Sequence, residues 1–402
     1  VEGYREAAEL TLKTAQSRSV DASQADEARW SDVALTAMTG TSAEAGGAEL
    51  ASLVVDAALL VQRTAAGDPL SYERIRMAKR GAGDLGDSRL ISGIILDQRV
   101  ALDRQVRHLH EVQVAVLTRP LALQKGVRET EIEVNDVDQL ESFMAAEDAL
   151  LDAHAEAVIA SGARLIVCAK EVESRVLHRL VDAGCVVLSD VERDGAEDLA
   201  EVTGATLCEH LDDLTPDALG SLDRFTVETL EGDEGRRERL IFEHANSRLA
   251  CIDVGGSAGT ATEEVIRGLF DALRSVIGGM TSGRLLLGGG SLHVAAASAV
   301  RQAAEAATGR RRLAMEAYAR ALEAVPGALV ENAGANRLDV LLDLRAAHRA
   351  GRGDEGVTAA GSNGTIAHAW ANAATLEHAI EVATEAVCGL LRIDQVISAR
   401  GD

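Results

Sequence analysis

ARLIVCAKEVESRVLHRLVDAGCVVLSDV, residues 163–191, reads as a buried strand at 163–170, a helix over 173–184 closed by a glycine, and a second strand at 185–191. AEDLAEVTG (196–204) and ATLCEHL (205–211) repeat the helix and strand. Upstream, VQVAVLTRPLAL (112–123) and ETEIEVND (129–136) are strand-like, and DQLESFMAAEDALLDAHAEAVIAS (138–161) predicts a long helix. Strands alternating with helices predict a parallel or mixed sheet flanked by helices, so 98–246 is expected to form an α/β domain.

Both ends differ from this centre. Apolar residues recur at helical spacing through 1–66, predicting three helices with turns near Ser19 and Gly40. RLISGIILD (89–97) is strand-like and marks a boundary, and RLACIDVGG (248–256) is a strand entering a helix. From 284 onward the chain reads as helices broken by glycine turns. A middle domain inserted into a mainly helical one explains this order, and the fold class expected is multidomain α/β.

The 402 residues carry a net charge of −24 spread along the chain, which argues for a solvated surface and against nucleic acid as a partner. Only four lysines occur (Lys13, Lys79, Lys125, Lys170), a balance expected of a salt-adapted or high-GC host. Five cysteines are dispersed in apolar runs with no CxxC spacing, so neither a disulfide framework nor a metal site is expected, and a reducing cytoplasm is. No apolar run approaches the roughly 20 residues of a membrane helix, so no membrane role is expected.

Four short motifs follow in fixed order: FDAL (270–273), LGGGS (287–291), VENAG (330–334) and LLRID (390–394). Taken singly each has an ordinary reading. LGGGS is a glycine turn, or a loop whose amides approach an anion; Asp271 is a solvated helix residue, or a carboxylate that orients water near a phosphate. VGGSAGT (254–260) follows a strand but lacks the dinucleotide-binding spacing, leaving an unrelated nucleotide-dependent α/β enzyme as a remote alternative. His108 and His110 have no companion ligands in sequence and read as exposed, and GSNG (361–364) reads as a turn.

Set end to end, these segments resemble group II chaperonins of the archaeal thermosome type. SDVALTAMTGTSAEAGGAELASLVVDA (31–57), RLISGIILDQRV (89–100), EIEVNDVDQLESF (131–143) and LDDLTPDALG (211–220) carry the likeness together with the four motifs. The resemblance implies an ATP-dependent double ring of subunits, homo- or hetero-oligomeric, that binds unfolded proteins. It implies an equatorial part at 1–24 and 284–402, an intermediate part at 25–97 and 247–283, and an apical domain at 98–246 with a helical protrusion near 134–160. Asp271 matches the family's water-activating aspartate. Gly288, Gly289 and Gly290 match its nucleotide-side glycine loop, Asn332 and Gly334 its adenine-side turn, and Glu377 its ribose-contacting acid, with His378 replacing the usual proline. Val176, Leu177, Leu180 and Val181 are then expected to face clients, as are Leu140, Phe143 and Met144 on the protrusion. Leu287, His293 and Ala335–Arg337 depart from the family pattern.

Nothing in the chain resembles the family's GPKG phosphate loop, its NDGAT segment or its GDGT motif, so the ATP and Mg2+ that the family implies lack part of their expected grip. Two explanations follow: a haloarchaeal subunit whose N-terminal equatorial segment is missing from the sequence, or a shortened paralogue without ATPase activity that binds clients or modifies assembly.

Overall fold

The computed structural model describes residues 1–65, 67–123, 137–232, 235–257 and 259–393. The chain divides into two compact units, 1–55 with 264–402, and 56–263.

The first unit opens with helix α1 (Glu2–Arg18), strand β1 (Val20–Asp21) and helices α2 (Glu27–Met38) and α3 (Gly47–Thr64), the last running on into the second unit. Asp26 caps α2 by accepting a hydrogen bond from Arg29 N–H at 2.9 Å. The three helices match the spacing of apolar residues in 1–66.

The second unit contains β2 (Ile75–Lys79), β3 (Arg89–Ile91), β4 (Gly93–Leu96), β5 (His108–Leu117), α4 (Val137–Ala160), β6 (Leu165–Cys168), α5 (Ser174–Asp182), β7 (Val186–Leu188), α6 (Arg193–Thr203), β8 (Leu207–Cys208), β9 (Gly220–Gly232), β10 (Gly235–Glu243) and β11 (Ala250–Val254). One sheet runs β4-β10-β9-β5-β6-β7, with β8 also pairing β5. β5 is parallel to β6 and β8, and β6 to β7, whereas β9, β10 and β4 add antiparallel strands. The sheet is therefore mixed, and the long β9–β10 hairpin is an addition to the elements expected from sequence.

Strand alternation explains why 163–191 reads as nearly continuous apolar runs. Val114, Val116, Leu165, Val167, Val186 and Leu188 face a core that includes Leu199 and Val202 of α6. Ala115, Leu117, Ile166, Cys168 and Val187 face the opposite core, with Leu151, Ala155 and Val158 of α4 and Val176, Leu177 and Leu180 of α5. Both faces are covered, so both sets of positions must be apolar.

The stretch 89–97 is two strands belonging to different sheets. β3 pairs with β11 in the small sheet β2-β11-β3, while β4 pairs with β10. The chain crosses between them at Ser92 and Gly93. Ser92 Oγ donates to His244 O at 2.7 Å, and Gly93 has φ +141°, where a Cβ would stand 1.9 Å from Phe242 O. Only glycine lets the two backbones approach so closely.

The chain continues through α7 (Thr260–Ser282), β12 (Arg284–Leu287), α8 (Ser291–Ala306), α9 (Gly309–Leu322), α10 (Ala324–Asn332), α11 (Arg337–Arg349), β13 (Glu355–Val357), β14 (Asn363–Thr365), β15 (Trp370–Asn372) and α12 (Ala373–Leu390). Here the expectation of helices alone needs correction. β12 pairs with β1 and β15, and β13 with β14, because short apolar or turn-rich strands of three or four residues carry too little periodicity to be told from loops. The core of this unit packs small residues closely, Ala7, Ala8, Ala296, Ala297 and Ala319 among them, around Val300, Met315 and Tyr318.

All five cysteines are buried and unpaired. Burial, and then the neighbouring Asp253 carboxylate, push the Cys251 thiol up to about 12. Among the described residues, no helix is long and apolar enough to cross a membrane.

Candidate functional site

β12 delivers the chain to Gly288–Gly290, and α8 starts immediately after them. Gly289 and Gly290 have φ of +61° and +74°. A Cβ on Gly289 would come within 2.9 Å of Val357 O, and one on Gly290 within 2.6 Å of Pro326 Cβ. The loop is held from both sides: Gly288 N–H donates to Ala369 O at 2.8 Å, and Val357 N–H to Gly289 O at 2.7 Å. Ser291 Oγ donates to Gly353 O at 2.9 Å, and Arg18 Nη1 donates to the same carbonyl at 2.6 Å.

Asn332 and Gly334 form the exposed end of α10. Gly334 takes the left-handed conformation at φ +76°, and Ala335 N–H closes the turn onto Val330 O at 3.0 Å. Gly361, in the turn of the β13–β14 hairpin, lies so close that a Cβ there would be 2.6 Å from Ala333 Cβ. Val294, Val330, Leu341, Leu344 and Val357 form the apolar floor beneath these segments. The glycine loop and the 332–334 turn, 40-odd residues apart in sequence, are thus joined through one hairpin.

Glu377 on α12 is occupied by Arg284 at the start of β12, which donates from Nη1 and Nη2 at 2.8 and 2.7 Å. That hydrogen-bonded carboxylate raises the Arg284 pKa. Asp271 is exposed on α7, whose inner face buries Leu269, Ala272, Leu273 and Val276. Among the described residues, no hydrogen bond or ion pair joins Asp271 to the glycine loop or the 332–334 turn. His293, where the resemblance expects a glutamate, lines an apolar cavity of about 260 Å3 with Tyr318, Leu322, Val325 and Ile380. Burial lowers its pKa, favouring the neutral ring.

These groups do not by themselves compose a cradle for Mg-nucleotide. The Gly288 amide and the Glu377 carboxylate are already spent within the protein, and the glycines admit neighbouring backbone and side chains closely. Among the described residues, no group of three or more His, Cys, Asp or Glu could hold a metal. VGGSAGT fits a dinucleotide no better: Gly255 N–H donates to Ser88 Oγ at 3.0 Å and Gly256 N–H to Ala82 O at 3.2 Å.

The residues expected to face clients separate into two groups. Val176, Leu177 and Leu180 are buried and Val181 is partly buried, all against the sheet. This corrects their expected placement: α5 has one apolar stripe, and covering the sheet consumes it. Its outer face carries Arg175 and Arg179, both bonded to Asp152 of α4, and these guanidinium groups hold Asp152 well below the usual carboxylate range. Phe143 and Met144 are 43% and 56% exposed, and Leu150, missed in the sequence, is 50% exposed. The Leu140 side chain and residues 129–136 lie outside what is described. His108 and His110 are exposed on β5, and 361–364 is a hairpin turn.

The family model for the TCP-1/cpn60 chaperonin family matches residues 1–401. The chain is 30% identical to thermosome subunit beta of Archaeoglobus fulgidus over 407 residues, covering 99% of this chain and 73% of that protein. It is 31% identical to thermosome subunit 3 of Haloferax volcanii over 408 residues, covering 100% and 76%. Among solved structures, the open-state monomer of a group II chaperonin from Methanococcoides burtonii superposes with a TM-score of 0.64 at 27% identity, over 98% of this chain and 92% of that one. A match running from residue 1 to 401, through both compact units, means that the chain belongs to the TCP-1/cpn60 chaperonin family.

Proposed function

We propose that the chain acts as a subunit of a double-ring group II chaperonin, divided into the equatorial, intermediate and apical parts given above, and captures non-native polypeptides in a reducing cytoplasm. The observation that carries client capture is the division of α4. Leu151, Ala155 and Val158 are buried in its later half, while Phe143 and Met144 of its earlier half, and Leu150 just past its midpoint, are exposed. Apolar side chains held in water on a packed helix suit transient burial against exposed segments of another chain.

The triple variant Phe143→Ser/Met144→Ser/Leu150→Ser is expected to weaken suppression of aggregation of a chemically unfolded enzyme by about tenfold or more, since burying each such side chain contributes ~1.5–3 kcal/mol. Unchanged suppression by a variant with native far-UV circular dichroism would refute this assignment.

ATP with Mg2+ is the energy source the family implies. When bound, it would supply a hydrolysable phosphoanhydride, and Asp271 is the residue that the family resemblance assigns to orienting water toward it. The described groups make no complete cradle for it. The Arg284–Glu377 pair favours a second reading, in which this chain binds clients or modifies assembly without turnover of its own. Measured phosphate release separates the two. If the chain contributes catalysis, Asp271→Ala should lower turnover by at least about 100-fold, as loss of a residue that activates the nucleophile does; equal rates in both proteins favour the second reading.

A further inference from the structure

We propose that the exposed apolar patch of α4 selects client segments in which a lysine or arginine stands among apolar residues, because the patch is built around the carboxylate of Glu147. The inference rests on capture of clients by α4 and adds to it the chemistry of the segment captured.

On a helix, side chains three or four positions apart are neighbours on one surface. Phe143 and Met144 stand four and three positions before Glu147, and Leu150 three after it, so each exposed apolar side chain of the patch adjoins this one carboxylate. Glu147 is half-buried among them, whereas Ala146 and Asp148 on either side of it are exposed. Glu141, also exposed, stands one turn before Met144. The carboxylates toward α5 are engaged: Arg175 pairs with Asp148 and Asp152 at 3.1 and 3.0 Å, and Arg179 with Asp152 and Glu156 at 2.8 and 2.6 Å. Among the described residues, no hydrogen bond or ion pair engages Glu141 or Glu147. The acidic residues of α4 thus divide, one set fastening the helix to α5 and the other left in water among the apolar side chains.

An entirely apolar segment laid over this patch would take the Glu147 carboxylate out of water with no partner, a cost that offsets part of the gain from burying its neighbours. A lysine or arginine in the segment removes that cost by donating to the carboxylate, while the residues flanking it bury Phe143, Met144 and Leu150. An aspartate or glutamate at the same place adds repulsion, so the patch discriminates by exclusion as well as by attraction. A second copy of α4 is a poor occupant on the same ground, since it brings the same unpaired carboxylates.

Fluorescence anisotropy of the full chain with three short labelled peptides, identical except for lysine, glutamine or glutamate at a central position between leucines and phenylalanines, tests the proposal. The lysine peptide is expected to bind at least about fivefold more tightly than the glutamine peptide, and the glutamate peptide at least about fivefold more weakly, one charge-assisted contact contributing that much. Both ratios should shrink as salt is raised. Glu147→Gln should bring the lysine and glutamine peptides to equal affinity, and Glu147→Lys should reverse the order of the lysine and glutamate peptides. Equal affinity for the three peptides, or a lysine preference that survives both Glu147 variants, would overturn the proposal and leave capture by α4 standing if Phe143→Ser/Met144→Ser/Leu150→Ser weakens all three. If that triple variant binds the peptides unchanged, or the unaltered chain binds none, capture by α4 fails and the proposal with it. Sedimentation showing the unaltered chain associated and the triple variant dissociated, with no peptide bound to either, would assign the patch to a second copy of the chain instead.

Discussion

Asp253→Ala is expected to destabilise the second unit by about 3–5 kcal/mol, the usual cost of leaving a buried charge without its partner. Asp253 on β11 and Arg239 on β10 are both fully buried, and Arg239 Nη2 donates to Asp253 Oδ1 at 2.6 Å. Arg89 Nε also donates to Asp253 Oδ2 at 3.1 Å, and Arg80 Nη1 lies 3.6 Å from it. Glu228 ties the same arginines from the other side, accepting from Arg80 Nη2 at 3.1 Å and from Arg89 Nη2 at 2.9 Å. Burial disfavours the Arg239 charge, yet the hydrogen bond and proximity of Asp253 outweigh it and raise the pKa. Guanidinium cannot shed its proton to escape. Removing Asp253 therefore takes the 2.6 Å partner from a fully buried cation and leaves it the longer contacts to Asp97 at 3.3 Å and Glu228 at 3.7 Å.

The size of that loss should not be mistaken for the net worth of the pair, because forming it also required desolvating both charges. The double variant Arg239→Met/Asp253→Leu is accordingly expected to recover most of the stability lost by Asp253→Ala. Cys251, two residues from Asp253 and 1% exposed, provides a local readout through its rate of thiol labelling. Faster labelling in Asp253→Ala and near-normal labelling in the double variant is the expected pattern. If the single variant labels at the unaltered rate, the network does not hold the two sheets together.

The α/β centre was legible because its physical cause is local: a sheet covered on both faces demands runs such as LIVC and VVL, which no exposed segment would carry. The β9–β10 hairpin was not. On β9 the core residues are Leu222, Phe225 and Val227, and the three-residue step between the first two breaks the alternation by which a half-exposed strand is recognised. Charged residues such as Arg224, Glu228 and Arg237 fill other positions, and Glu228 and Arg237 find partners, Arg89 and the Lys79 carbonyl, 139 and 158 residues away along the chain. The candidate site divided the same way. Glycine turns were visible in LGGGS and VENAG, but the Arg284–Glu377 pair joins residues 93 apart, and only the fold shows that this carboxylate is already engaged. α5 shows the limit in reverse: its apolar stripe was correctly seen, while which surface it covers depends on the sheet lying beneath it.

A comparable dependence on a single carboxylate holds the first unit together, and Glu323→Ala is expected to cost about 3–5 kcal/mol there. Glu323 sits between α9 and α10 with a side chain 3% exposed, and it is bonded on both oxygens by Arg301 of α8 and Arg345 of α11, the Arg345 Nε contact being 2.7 Å. One side chain thereby fixes the mutual positions of helices that frame Val294, Val330 and Leu344 below the glycine loop. Burial pushes the Glu323 carboxyl up, but hydrogen bonds from Arg301 and Arg345 more than offset it, so its pKa lies below that of an ordinary glutamate. The sign of the pH effect follows: a depressed folded-state pKa contributes stability that is complete above the unfolded value of about 4.3 and is lost as pH falls through the folded one. Glu323→Gln keeps the shape and cannot titrate. Denaturant unfolding of the chain and this variant, followed by hydrogen exchange in α8 and α11, should show a gap that is constant from pH 7 to about 5 and narrows below about pH 4. A gap independent of pH down to 3, or smaller than about 1 kcal/mol at pH 7, would reduce the clamp to an ordinary surface ion pair.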